Sequence, residues 1–127
     1  MQDSTPKRVV PVTVDVTAEP DGRVTVSCYP PTATIDKGAS NVLLTFTLAT
    51  SGYRFKRTKA IAMDVPADDF PYASWTINDT TAALYDSNKI ADKLKYTVTV
   101  VNTTTGKHYA IDPEIQNGGG GTGTDDC

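Results

Sequence analysis

LKYTVTVVNTTTGKHYAIDPEIQN, residues 94–117, reads as a strand, a polar turn and a second strand. Leu94, Tyr96, Val98 and Val100 fall at every second position, with Lys95, Thr97 and Thr99 between them. Successive strand side chains point to opposite faces, so this alternation makes one apolar face and one wet face. Val101 breaks the pattern, and Asn102 opens a turn in which Gly106 is free to take positive φ. Tyr109 and Ile111 resume an apolar face. Pro113 has no N–H to donate, which predicts that regular pairing stops there or moves to an edge. The order Asp92-Lys93-Leu94-Lys95-Tyr96-Thr97-Val98 also resembles the tyrosine corner of Greek-key sandwiches. In that motif a Tyr near the start of a late strand donates its hydroxyl to the backbone a few residues upstream. The alternative is an ordinary amphipathic strand that begins with a Tyr.

The same period runs through the rest of the chain. Val10, Val12, Val14 and Val16 alternate with polar residues, although Pro11 suggests an edge strand or an irregular start. Glu19-Pro20-Asp21-Gly22 is a turn, because Pro presets φ and Gly permits the return. Residues 23–29 then give the partner strand of a first hairpin, with Val24, Val26 and Cys28 inward. Pro30-Pro31 breaks pairing, and 32–35 is short and extended. Val42, Leu44, Phe46 and Leu48 form the clearest strand, and Ser51-Gly52 predicts a tight turn that returns it along 53–57. Ile61, Met63 and Val65 alternate again, 66–73 is a loop, Trp75 and Ile77 mark a short strand with Trp75 expected in the core, and 82–85 is another short run. Residues 86–93 are the one helix candidate, about two turns with Asn88 as its cap.

Strand-like runs at roughly ten-residue spacing, with turn signals between them, predict an all-β fold. The preferred form is an immunoglobulin-like Greek-key β-sandwich of about seven to nine strands, without the Cys…Trp…Cys spacing of antibody domains. The expected organisation is a flexible leader over 1–8, one sandwich domain over 9–117 and a disordered Gly-rich tail over 118–127. A chain of 127 residues suits one domain that needs no staples. Its net charge of −3 argues against nucleic acid or an anionic membrane as the main partner. No run is apolar and long enough to span a bilayer as a helix. MQDSTPKR lacks the apolar core of a signal peptide, so a cytoplasmic location is the default expectation. Cys28 reads as a buried thiol, and Cys127 in the tail has no fixed geometry for pairing with it.

Candidate chemistry is sparse. Blue copper needs two His and a Cys, and the chain has one His, His108, on the wet side of a strand. Structural zinc fails for the same reason, and no cofactor is expected. No nucleophile-elbow sequence accompanies His108, so an enzyme is not expected. The basic cluster 54–59 reads as a solvated face, because alternation sends Phe55 inward. Calcium is the stronger metal candidate: Asp64, Asp68 and Asp69 flank one loop, and hard oxygen ligands gathered from a loop suit that ion. Phe70 and Tyr72 in the same loop add aromatic surface for a carbohydrate or protein ligand.

The opening VTVDVT and its hairpin into VTVSC, the run LLTFTLATSGYRF, and the ending YTVTVVN…GKHYAIDPEIQN resemble the DP-EP family of small bacterial proteins. The resemblance covers about residues 9–117, and Glu19-Pro20 and Asp112-Pro113 suit the family's dipeptides. It implies a bacterial β-sandwich with no established activity. The leading expectation is therefore a non-enzymatic module acting through protein partners or self-association, with exposed edge strands building homo-oligomers. The alternative is a carbohydrate- or calcium-binding module seated on the 64–75 loop.

Overall fold

The computed structural model describes residues 8–118, and among them every regular element is a strand. The expected leader and tail lie, apart from Arg8 and Gly118, outside the described residues. The strands are β1 (Arg8–Ala18), β2 (Val24–Tyr29), β3 (Thr32–Ile35), β4 (Val42–Leu48), β5 (Tyr53–Phe55), β6 (Ile61–Met63), β7 (Trp75–Asn78), β8 (Thr81–Asp86), β9 (Asp92–Asn102), β10 (His108–Ile111) and β11 (Glu114–Asn117).

They form two sheets packed as a sandwich. The first has the order β2-β1-β4-β8-β7. The β1–β2 hairpin forms as expected, and β1 also runs parallel to β4, from Arg8 opposite Val42 to Val14 opposite Leu48. β1 is thus an inner strand, not an edge. Pro11 is tolerated because pairing with β2 begins only at Thr13, which leaves one side of the strand open at that end. The second sheet is built along β9, which pairs in turn with β11, β6, β10 and β5. β3 joins by running parallel to β11.

Eleven strands exceed the expected seven to nine, because short edge pieces of three or four residues each find a partner on the long β9. Two other expectations are corrected. The run after Ser51-Gly52 does not return along β4; β5 crosses to the second sheet and pairs with the end of β9. Residues 86–93 do not form a helix. β8 runs into Asp86 and β9 starts at Asp92. Asn88 takes positive φ in the link between them, and its N–H bonds back to Asp86 Oδ1.

The inward phase of each strand builds the core. Val12, Val14, Val42, Leu44, Phe46, Tyr96, Val98, Val100 and Ile115 are all buried between the sheets. Fully burying such a side chain is worth about 1.5–3 kcal/mol, so this layer supplies most of the stabilisation. Phe46 and Tyr96 meet edge to face across the sandwich with ring centroids 5.7 Å apart. The tyrosine corner is not formed. The Tyr96 ring turns into the core, and its Oη has no hydrogen-bond partner among the described residues.

Candidate binding face

The outer face of the first sheet should be polar by simple alternation, yet at one end it is not. Strand register sets Val9 beside Leu43 and Leu43 beside Tyr85, making one row across β1, β4 and β8. The next row is Pro11, Thr45, Ala83 and Trp75, which reaches the edge strand β7. Tyr72 closes the patch from the neighbouring loop. Its ring lies 6.2 Å from that of Trp75 and 5.6 Å from that of Tyr85. Tyr85 is pinned in turn by donating its hydroxyl to Asn41 Oδ1. Burial, followed by the influence of Tyr72, pushes the Tyr85 phenol up from its ordinary value.

Trp75 is 46% exposed and Ile77 62% exposed, so the expectation of a core Trp is overturned. The reason is register. Trp75 sits opposite Ala83, whose neighbours Ala82 and Leu84 take the inward positions, and a bulge between Thr76 and Asn78 turns the end of β7. Such a bulge also blunts an edge against indiscriminate strand pairing.

The expected site residues are divided among different tasks. Asp64 is exposed and accepts the Thr97 hydroxyl at 2.6 Å, which also lies 2.7 Å from Asp112 Oδ1. Asp68 is exposed on the loop rim. Asp69 is buried and organises backbone. Its Oδ1 accepts from Ser87 Oγ and the Lys89 N–H, and its Oδ2 accepts from the Ile90 N–H and Asn117 Nδ2. Phe70 is buried in the core and not exposed as a surface ring. Tyr72, 58% exposed, is the one of the five that reaches the aromatic patch. Among the described residues no group of three or more His, Cys, Asp or Glu side chains is gathered to hold a metal ion.

Two clefts flank these features. A groove of about 320 Å³ runs beside the patch, walled by Ile61, Met63, Phe70, Pro71, Tyr72 and Leu84. A second cleft of about 350 Å³ opens between β2 and the β10–β11 bend, with Cys28, Lys95, Asp112 and Glu114 on its walls. Burial pushes the Cys28 thiol up to about 11, so it stays protonated and weakly nucleophilic at neutral pH.

Sequence reasoning missed the buried polar residues Ser87 and Asn117, and it read Asp86 as an acidic loop residue and Asn88 as a helix cap, where both are buried. A signal was present. Asp86 continues the inward phase of Ala82 and Leu84, and Asn117 continues that of Ile115. Glu19-Pro20 falls in the β1–β2 turn and Asp112-Pro113 at the β10–β11 bend. No family model matches this chain, and no curated protein matches it.

Proposed function

We propose that the chain is a non-enzymatic binding module working through protein contacts, made by the outer face of the first sheet at its β7 edge. The observation that carries this reading is the pair of adjacent rows Val9–Leu43–Tyr85 and Pro11–Thr45–Ala83–Trp75, capped by Tyr72 and continued by exposed Ile77. Contiguous exposed apolar surface rimmed by polar residues marks an interaction site, whereas single scattered apolar residues do not. Trp and Tyr are also the residues that most often anchor protein interfaces. A carbohydrate platform is less well supported. The Tyr72 ring is tilted by 39° to Trp75 and 54° to Tyr85, so the three present no common plane for a sugar.

The test compares the wild-type chain with Trp75→Glu/Ile77→Lys, substitutions at exposed positions that leave the core intact. Sedimentation velocity over a wide concentration range reads self-association, and affinity capture reads a different protein partner. Association or capture lost in the double variant supports the reading. A monomer with no partner that depends on Trp75, together with glycan binding abolished by Trp75→Ala, overturns it in favour of the carbohydrate module.

A further inference from the structure

At the end of the sandwich where β8 and β11 finish, two carboxylates meet with one amide between them. Asn117 Nδ2 donates to Asp69 Oδ2 at 3.1 Å and to Asp86 Oδ1 at 3.0 Å. Asp86 and Asn117 are both 0% exposed. Asp86 Oδ2 and Asn117 Oδ1 have no hydrogen-bond partner among the described residues. The two acids are not equivalent. Four donors converge on the Asp69 oxygens, an arrangement suited to an anion. Asp86 receives two, from the Asn88 N–H and Asn117 Nδ2, both on Oδ1.

We infer that Asp86 is a buried proton-binding site: the Asp69–Asp86–Asn117 joint is stable with the proton on Asp86, and loss of that proton to solvent loosens it. Protonation removes one of two neighbouring buried charges, and a neutral carboxyl costs far less than a carboxylate where its Oδ2 receives no donor. The charged groups on the elements packed around Asp86 do not replace this. From the loop comes Asp69, an anion. From the β3–β4 turn come Asp36 and the exposed Lys37, and from β1 comes Arg8, whose guanidinium lies 3.4 Å from Asp36. β9 contributes Asp92 opposite Asn117, and the β8–β9 link contributes exposed Lys89. Tyr85 lies adjacent on the same strand. Burial above all, opposed by the hydrogen bonds from Asn117 and Asn88 and helped by the charge of Asp69, raises the Asp86 pKa to about 7. A calcium ion is a poorer occupant, because it takes about six to eight oxygen ligands and this joint leaves two acceptor atoms unpartnered.

The joint has reach beyond its own atoms. It ties the first sheet through Asp86, the second through Asn117 and the 64–74 loop through Asp69. That loop carries Phe70 into the core and Tyr72 onto the aromatic patch. Local opening above neutral pH would therefore act first on this loop.

The test is carboxyl-carbon NMR of the full chain with labelled Asp, titrated from about pH 4 to about pH 9 to span the ordinary Asp range and neutrality. The expected result is one buried carboxyl titrating near neutrality, assigned to Asp86 by its loss in Asp86→Asn. The titration is read on the unaltered chain, so it holds whether or not the variant folds well. Relative to Asp86→Asn, the wild-type folding equilibrium should weaken by about a thousandfold between the ordinary Asp range and pH above 7. An Asp86 carboxyl that titrates in the ordinary Asp range overturns the inference. So does a melting temperature raised by calcium in the wild type and not in Asp86→Asn, which would make the joint a cation site.

Discussion

Tyr96→Phe is expected to stabilise the fold by about 1 kcal/mol, although it removes a group able to form a hydrogen bond. The Tyr96 side chain is fully buried, its ring packs on Phe46 at 5.7 Å, and its hydroxyl has no partner among the described residues. Burial, with a smaller contribution from Cys28, pushes the phenol above its ordinary range, as expected for a hydroxyl cut off from water. A hydroxyl desolvated without a partner costs about 1–3 kcal/mol. Deleting it removes that cost and keeps the ring contacts. The void left is one oxygen atom, and its lost dispersion contacts offset a few tenths to about 1 kcal/mol. For a domain of this size the net gain corresponds to roughly 3–5 °C in Tm. A tyrosine corner predicts the opposite sign, a loss of about 1 kcal/mol with the donated bond. Urea unfolding of both proteins, read by far-UV circular dichroism with the slope m compared, decides between them. A loss of about 1 kcal/mol or more at unchanged m would refute the orphaned hydroxyl and give Tyr96 a partner.

Asp69→Ala is expected to cost about 2 kcal/mol in urea unfolding, since it removes the acceptor of the Lys89 and Ile90 N–H groups and one of the two acceptors each of Ser87 Oγ and Asn117 Nδ2. Cys28 is expected to resist iodoacetamide in native protein at neutral pH and to react on denaturation, because its thiol is buried and pushed up to about 11; peptide mapping reads the site, and rapid native labelling of Cys28 would contradict its burial. Trp75→Ala is expected to change stability by no more than about 0.5 kcal/mol, while Phe46→Ala costs about 3–5 kcal/mol; equal losses in thermal melts would show that Trp75 packs in the core after all.

Period-two alternation in the sequence specifies most of the core. Val12, Val14, Leu44, Phe46, Val98 and Val100 are buried where their phase puts them. Alternation is a local signal, however, and it says nothing of which strands become neighbours. That is why β5 was expected beside β4 and is found on β9, three residues long and stabilised by a partner about fifty residues further along the chain. The candidate site was less legible for the same reason. An acidic loop in sequence looks like a ligand set, but Asp69 is consumed by backbone N–H groups from 89–90 and by Asn117 on another sheet, contacts that no spacing within the loop reveals. The aromatic patch is half visible in the sequence, where Tyr72, Trp75 and Tyr85 cluster around one loop, although Trp75 reads there as a core residue. Its other members come from β1, β4, β7 and β8, and only the register of those four strands brings them together.

The pH dependence of the joint follows from the direction of one shift. The Asp86 carboxyl has a folded-state pKa raised from 3.8 to about 7, so between those values the folded chain holds more protons than the unfolded chain. Stability contributed by this group is therefore full at the acid end and falls as pH rises through about 7, the reverse of an ordinary paired carboxylate. The size of that shift corresponds to about 4 kcal/mol between the limits. Against a total of about 5–15 kcal/mol for a domain, such a loss leaves the core folded but is large enough to open a local element. The element that depends most directly on the joint is the 64–74 loop, whose Asp69 is held through Asn117 and the 87–90 link. A purely apolar joint at the same place would hold the loop equally at every pH. Two acids and an amide hold it only while one acid keeps its proton, so the position of Tyr72, and with it the edge of the aromatic patch, is tied to the protonation of Asp86.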